Sequence, residues 1–170
     1  MEISLFTKCL FEFIGTLVLV LLGDGVVAST VLKRSKGFDG GWIVITIAWG
    51  LAVMCGVLIA GPYSGAHLNP AVSVGLAVAG SFPWAYVPGY VAAQLLGGFC
   101  GAVVVYLYYK DHFDATDDPA AKLGVFCTMP AIMDKPRNLF CEVVGTFLLV
   151  FVILAIGNEQ NTPEIGMGSL

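Results

Sequence analysis

Charge is what this sequence has least of. Lys, Arg, Asp and Glu make up 12% of its 170 residues, against about 25% in an ordinary soluble domain. With 58% hydrophobic residues and a mean hydropathy of +0.87, the composition is that of a membrane protein. Basic clusters interleaved with aromatics are also missing. A net charge of −4 and a pI near 4.9 set nucleic-acid binding aside. The five cysteines, Cys9, Cys55, Cys100, Cys127 and Cys141, are odd in number and form no CxxC pair. Four of them lie in or beside apolar runs, where Cys serves as a small hydrophobe, so neither a disulfide framework nor a metal site is expected. The two histidines, His67 and His112, recur with no nucleophile and orienting group at a workable spacing, which argues against an enzyme and gives no cofactor to expect. A cleaved leader is disfavoured too. Lys8, an apolar run and the small Ala28 and Ser29 resemble one, but Glu12 lies inside the run and Asp24 precedes any cleavage position.

Long apolar runs are what the sequence has in excess. Residues 9–31, 42–60, 85–109 and 138–157 are each long enough to cross a bilayer at about 1.5 Å per residue. Glu12 is the costly residue in the first run, because a carboxylate at the centre of a span costs about 2.5–3.5 kcal/mol on insertion scales. It is expected to face the bundle interior, the alternative being a place at the interface. Trp42 suits the headgroup layer at the edge of the second run. Trp49, near the middle of that run, faces lipid, a neighbouring helix or a pore. In the third run Gly97 and Gly101 form a small-xxx-small pair for close helix contact, and Gln94 is either a hydrogen-bonding partner for a neighbour or a bystander. Residues 110–137 form the longest polar connection. Asp111, Asp114, Asp117 and Asp118 lack the spacing of a calcium loop and read as a solvated loop. A polar break at 158–163 and a short tail follow the fourth span.

One stretch does not fit a plain bundle. Gly61 to Ser73 interrupts the apolar runs with two glycines, two prolines and the polar Ser64, His67 and Asn69. Asn69 is a good N-cap and Pro70 suits a first helical turn, so a short helix is predicted over about 70–80. That is too short to span a membrane, and it reads as a re-entrant half-helix. A backbone broken at membrane depth is tolerated only where protein or a water-filled cavity satisfies it. The stretch therefore implies a cavity.

The chain also repeats itself. Glu12-Phe13-Ile14-Gly15-Thr16 recurs as Glu142-Val143-Val144-Gly145-Thr146, and internal repeats in a membrane protein point to a transporter or channel. Three spans separate the two copies, so the second enters from the opposite side and the repeat is inverted. Asn69 lies 57 residues after Glu12, and the same interval from Glu142 runs past Leu170. The expected organisation is one repeat over residues 1–137, with three spans and a half-helix, and the first span of a second repeat with a tail over 138–170. A second half is expected to be missing.

These features together resemble the aquaporin, or major intrinsic protein, superfamily, and within it the aquaglyceroporins or glycerol uptake facilitators. The resemblance rests on the two E-x-x-G-T motifs, Trp49-Gly50, Gln94, and above all the nine residues Ser64 to Val72 that contain the box Asn69-Pro70-Ala71. It implies an all-α membrane protein, an aquaporin-like helical bundle in the plasma membrane. Complete members have six spans and two half-helices that meet at the midplane, and they assemble as homotetramers with one pore per subunit. By resemblance, glycerol, small polyols and water are the permeants. Asn69 would donate a side-chain N–H to the permeant, and the carbonyls of Gly65, Ala66, His67 and Leu68 would form an acceptor ladder. Trp49 would be the filter aromatic, and Glu12 and Glu142 would be buried braces. His67 is expected to be a neutral structural histidine, with proton shuttling as its alternative.

Three departures from the family pattern accompany the resemblance. The second box, with the filter arginine that follows it, and the last two spans are not in this sequence. The family orientation places the N-terminus and the Asn69 segment on the cytoplasmic side, whereas Lys33, Arg34, Lys36, Lys110 and Lys122 would choose the reverse by the positive-inside rule. The motif match is more specific, and the family orientation is the expectation. The function expected is thus a passive channel subunit, conducting poorly as given. The alternative is a non-conducting membrane fragment that only associates with other spans.

Overall fold

The computed structural model describes residues 3–157 and is helical wherever it is regular. Helix α1 (Leu5–Val31) begins four residues before the expected span because Ser4 caps it, its hydroxyl accepting from the Thr7 amide at 3.1 Å. Helix α2 (Gly41–Ser64) runs four residues past the expected end and through Pro62. The proline removes one amide donor, but the last turn is held by the Gly65 amide on the Gly61 carbonyl and by the Ser64 hydroxyl on the Ala60 carbonyl, each at 3.2 Å. Gly65, at φ 85°, then ends the helix in the left-handed conformation that glycine adopts without cost.

The half-helix is α3 (Pro70–Val78), with Asn69 as N-cap and Pro70 in its first turn, as predicted. A single 3-10 turn at Trp84–Tyr86 leads into α4 (Val87–Tyr108), and α7 (Lys135–Ile156) is the last helix among the described residues. Among the described residues four segments are long and apolar enough to cross a membrane: α1, α2, α7 and the stretch Trp84–Tyr108. The polar break at 158–163 and the tail lie outside the described residues.

Helix α1 is the hub, packed along both α2 and α4. Its approach to α4 depends on the glycine pair. A Cβ on Gly97 would collide with the Phe13 carbonyl, and one on Gly101 would lie 2.7 Å from the Leu17 carbonyl, so only glycine lets the two backbones meet there. The outer faces are apolar. Ile43, Ile47, Leu51, Met54 and Leu58 form one exposed stripe along α2, a surface that suits lipid and is costly in water.

Residues 110–137 correct the expectation of a solvated loop. They contain α5 (Lys110–Ala115), α6 (Pro119–Gly124) and the start of α7. Phe113 and Val125 are buried with Ala28 of α1, Leu32 just after it and Val105 of α4. Thr116 ties the segment down, its hydroxyl accepting from the Lys33 amide at 2.9 Å and donating to the His112 carbonyl at 2.7 Å. The physical reason is that two apolar residues in a charged segment suffice to fold it back onto exposed helix ends. The aspartates have local duties: Asp118 caps α6 through the Ala120 amide, and Asp117 lies 3.8 Å from Lys33. Asp114 pairs with Lys110 and raises the pKa of that ammonium.

Replacing Gly97 by Val is expected to destabilise the bundle by about 1–3 kcal/mol through overpacking against α1. Denaturant unfolding in detergent micelles, followed by circular dichroism, measures it. An unchanged midpoint would mean that α1 and α4 do not approach so closely.

Candidate functional site

The site is built where α2 stops and α3 starts. Residues 65–69 are non-helical, so their amides lose the partners that a helix would supply. Glu12 of α1, 0% exposed, supplies replacements. Its Oε1 accepts from the Ser64 hydroxyl at 2.6 Å and the His67 amide at 2.9 Å, and its Oε2 accepts from the Leu68 amide and the Gln94 Nε2, both at 2.8 Å. Four donors on one carboxylate fill the acceptor capacity that makes such a buried charge tolerable. Glu12 therefore faces the bundle interior, and Gln94 is a partner, not a bystander.

A second layer fixes the first. The Ser64 hydroxyl accepts from the Ala66 amide at 3.0 Å, and Tyr90 donates to the Ser64 carbonyl at 2.7 Å. The His67 Nδ1 lies 2.9 Å from the Ser73 hydroxyl, which also receives Gln94 Nε2 at 3.1 Å. The His67 ring is held edge-on between Phe82, at 4.4 Å, and Tyr90, at 4.9 Å. The Leu68 side chain fits a notch between α1 and α2, where a Cβ on Gly15 would lie 2.6 Å from it and one on Gly56 2.8 Å. Ser64, Ser73 and Tyr90 escaped the sequence reading as site residues. The available signals were Ser73 four positions after Asn69 and Tyr90 four before Gln94, each on a shared helix face.

The direction of the amides decides the direction of the carbonyls. No described peptide bond is cis, and in a trans peptide the C=O points opposite to the following N–H. The amides of Ala66, His67 and Leu68 all turn toward Ser64 and Glu12. The carbonyls of Gly65, Ala66 and His67 must therefore turn away, and they accept no hydrogen bond among the described residues. The geometry requires Ala66 and Leu68 to hold φ of 50° and 51°, a strain of order 1–3 kcal/mol each. Next in the chain, the Asn69 Oδ1 accepts from the Ala71 amide at 2.8 Å. With that oxygen engaged in the cap, the remaining polar group of the side chain is its NH2, a pure donor. The structure thus places three free acceptors and one free donor along five consecutive residues, at the positive end of a helix.

The sequence profile of the major intrinsic proteins matches residues 1–168. The chain belongs to the major intrinsic protein family. A probable glycerol uptake facilitator protein from Thermotoga maritima is 57% identical over 151 residues, covering 89% of this chain and 64% of that protein. The glycerol uptake facilitator protein of Bacillus subtilis is 52% identical over 154 residues, covering 91% and 56%. The aquaglyceroporin of Plasmodium falciparum, a solved structure, aligns with a TM-score of 0.63 at 39% identity over 69% of this chain and 48% of its own. The chain thus spans less than two thirds of the length of each of these three. Family membership and the four apolar helices make it a multi-pass membrane protein.

Two expected site residues lie apart from this cluster. Trp49 is half-buried, its ring against Gly23, and lines a cavity of about 820 Å³ beside Asp24 and Thr46 that none of residues 65–71 enters. Glu142 departs from the expected burial. It is exposed and lines a cleft of about 570 Å³ between α7 and α3, with Ala71 and Gly75 across from it. The reason is local: Glu12 is buried by the broken segment that it holds, and no second broken segment occurs among the described residues.

Glu12→Gln is expected to leave two buried donors facing an amide NH2, at about 1–3 kcal/mol for each unsatisfied group. Hydrogen–deuterium exchange read at the His67 and Leu68 amides checks this: both should exchange slowly in the wild type, and the one that faces the new NH2 at least tenfold faster in the variant. Equal exchange would show that Glu12 does not hold the segment.

Proposed function

We propose that this chain forms one wall of a passive transmembrane channel for glycerol, small polyols and water, with solutes crossing by facilitated diffusion and no reaction catalysed. The observation that carries the reading is the row of unbonded carbonyls at Gly65, Ala66 and His67, followed by the donor end of Asn69. A polyol that enters a narrow pore loses its water partners, and a ladder of acceptors with a donor at its end restores them. The Leu68 carbonyl extends the ladder. Pro70 and Ala71 start α3 so that its positive end faces the permeant, which repels cations and protons. Trp49 offers an aromatic face to the carbon backbone. His67, packed between two rings and bonded to Ser73, serves as a structural residue and not as a proton shuttle. Relatives named glycerol uptake facilitators support the choice of permeant.

The setting follows from the same reading. The chain lies in the lipid bilayer of the plasma membrane with its N-terminus cytoplasmic. The facing wall, with a second box braced by Glu142, comes from the part of the family's length that this chain does not span, and four complete subunits form a homotetramer. A second reading is favoured by α7, which has no buried residue among those described and packs mainly against α3. On that reading the chain is a non-conducting membrane fragment that associates with other spans.

Stopped-flow light scattering on proteoliposomes separates the two. Residues 1–170 alone are expected to give the glycerol flux of empty liposomes. Extended with the matching remainder of the Thermotoga relative, the chain should conduct. In that extended chain Asn69→Asp keeps a capping oxygen for the Ala71 amide but removes the donor, and glycerol flux should fall by about tenfold, the equivalent of one good hydrogen bond in the barrier. Absence of flux in the extended chain would favour the fragment reading.

A further inference from the structure

The cavity beside Trp49 contains a carboxyl group with no assigned role. Asp24 of α1 is only 7% exposed, lines that cavity, and has no hydrogen-bond or ion-pair partner among the described residues. A carboxyl so placed within a membrane span is costly unless something donates to it. Two of the hydroxyls that line the cavity are committed elsewhere. Thr30 donates to the carbonyls of Val26 and Val27 at 3.0 Å, and Thr46 donates to the Ile43 carbonyl at 3.1 Å. No described side chain donates to Asp24 in this arrangement, and a hydroxyl-bearing molecule in the cavity would supply the donor.

We infer that Asp24 is a specificity-determining residue of the conducting path, accepting a hydrogen bond from a polyol hydroxyl while Trp49 covers the adjacent carbon atoms. The inference deepens the channel reading and rests on it. An acceptor beside an aromatic face matches a molecule that carries hydroxyls on one side and C–H on the other. A metal ion fits less well. Among the described residues no three of His, Cys, Asp or Glu converge to hold one, and Asp39, the other acidic residue lining the cavity, is exposed.

Infrared difference spectroscopy on the full chain in lipid, with and without glycerol, tests this directly. A glycerol-induced shift of a carboxyl band is expected in the wild type and should be lost in both Asp24→Asn and Asp24→Ser, with helical content by circular dichroism unchanged. No shift dependent on Asp24, as when water alone fills the cavity, overturns the inference. So does a shift produced by sodium chloride and not by glycerol. In the extended chain, Asp24→Val, which removes the acceptor, should lower the ratio of glycerol to water permeability by about fivefold, the scale of one net hydrogen bond, and an unchanged ratio counts against the inference. An Asp24-dependent shift without glycerol flux keeps the inference as a binding site and sinks the channel reading. Flux with neither shift nor altered ratio does the reverse.

Discussion

Everything at this site depends on one carboxylate taking four hydrogen bonds. A helix that stops within a bilayer leaves amides with no water to receive them. Here the amides of His67 and Leu68 go to Glu12, and that of Ala66 goes to Ser64, itself bonded to Glu12. Glu12 in turn is tolerable only because those donors, with Gln94, surround it. Charge and backbone break solve each other's problem, and neither is stable alone. The arrangement also explains why α1 is the hub: it must lie close enough to α2 and α4 for its carboxylate to reach both, and the small residues Gly15, Gly56, Gly97 and Gly101 allow that approach.

The free carbonyls follow from this bonding. Because a trans peptide is rigid, collecting three successive amides on one side forces three carbonyls onto the other. A regular helix cannot do this, since it spends each carbonyl on an amide four residues later. The strained φ angles of Ala66 and Leu68 are the conformational cost of that one-sidedness, offset by the Glu12 bonds and by the seating of the Leu68 side chain between two glycines. The strain is thus tied to the row of carbonyls that the segment leaves free.

How much of this was legible depended on whether the signal was local. The half-helix was readable because Asn69-Pro70 is a start signal with its own chemistry, and its predicted first residue is the one observed. Glu12 was readable as inward-facing because a carboxylate in a span has few alternatives. The convergence of Ser64, Ser73, Tyr90 and Gln94 was hidden, because it joins residues of three helices whose relative rotation no single-segment pattern encodes. The repeat was legible as a pattern but misleading about burial: Glu142 stands in the same motif as Glu12, yet lacks the partner that buries it. Residues 110–137 were misread because net polarity masked Phe113 and Val125, and tertiary burial of those two outweighed the charge around them.

The identity of residue 69 shows how closely fold and function are joined. Ser, Thr, Asp and Asn all cap helices, because each presents an oxygen to the first-turn amides. Asp has no donor left once that oxygen is used, Ser and Thr keep only the hydrogen of the capping hydroxyl itself, and Asn alone keeps a separate NH2 group. The cap bond to Ala71 fixes the plane of the amide, and fixing the plane fixes where its N–H groups point. A donor pinned in this way needs no ordering when a hydroxyl arrives, so less conformational entropy is lost on contact. The bond that starts α3 is therefore also the one that orients the donor beside the free carbonyls, and an aspartate, which caps equally well, would leave that ladder with acceptors only.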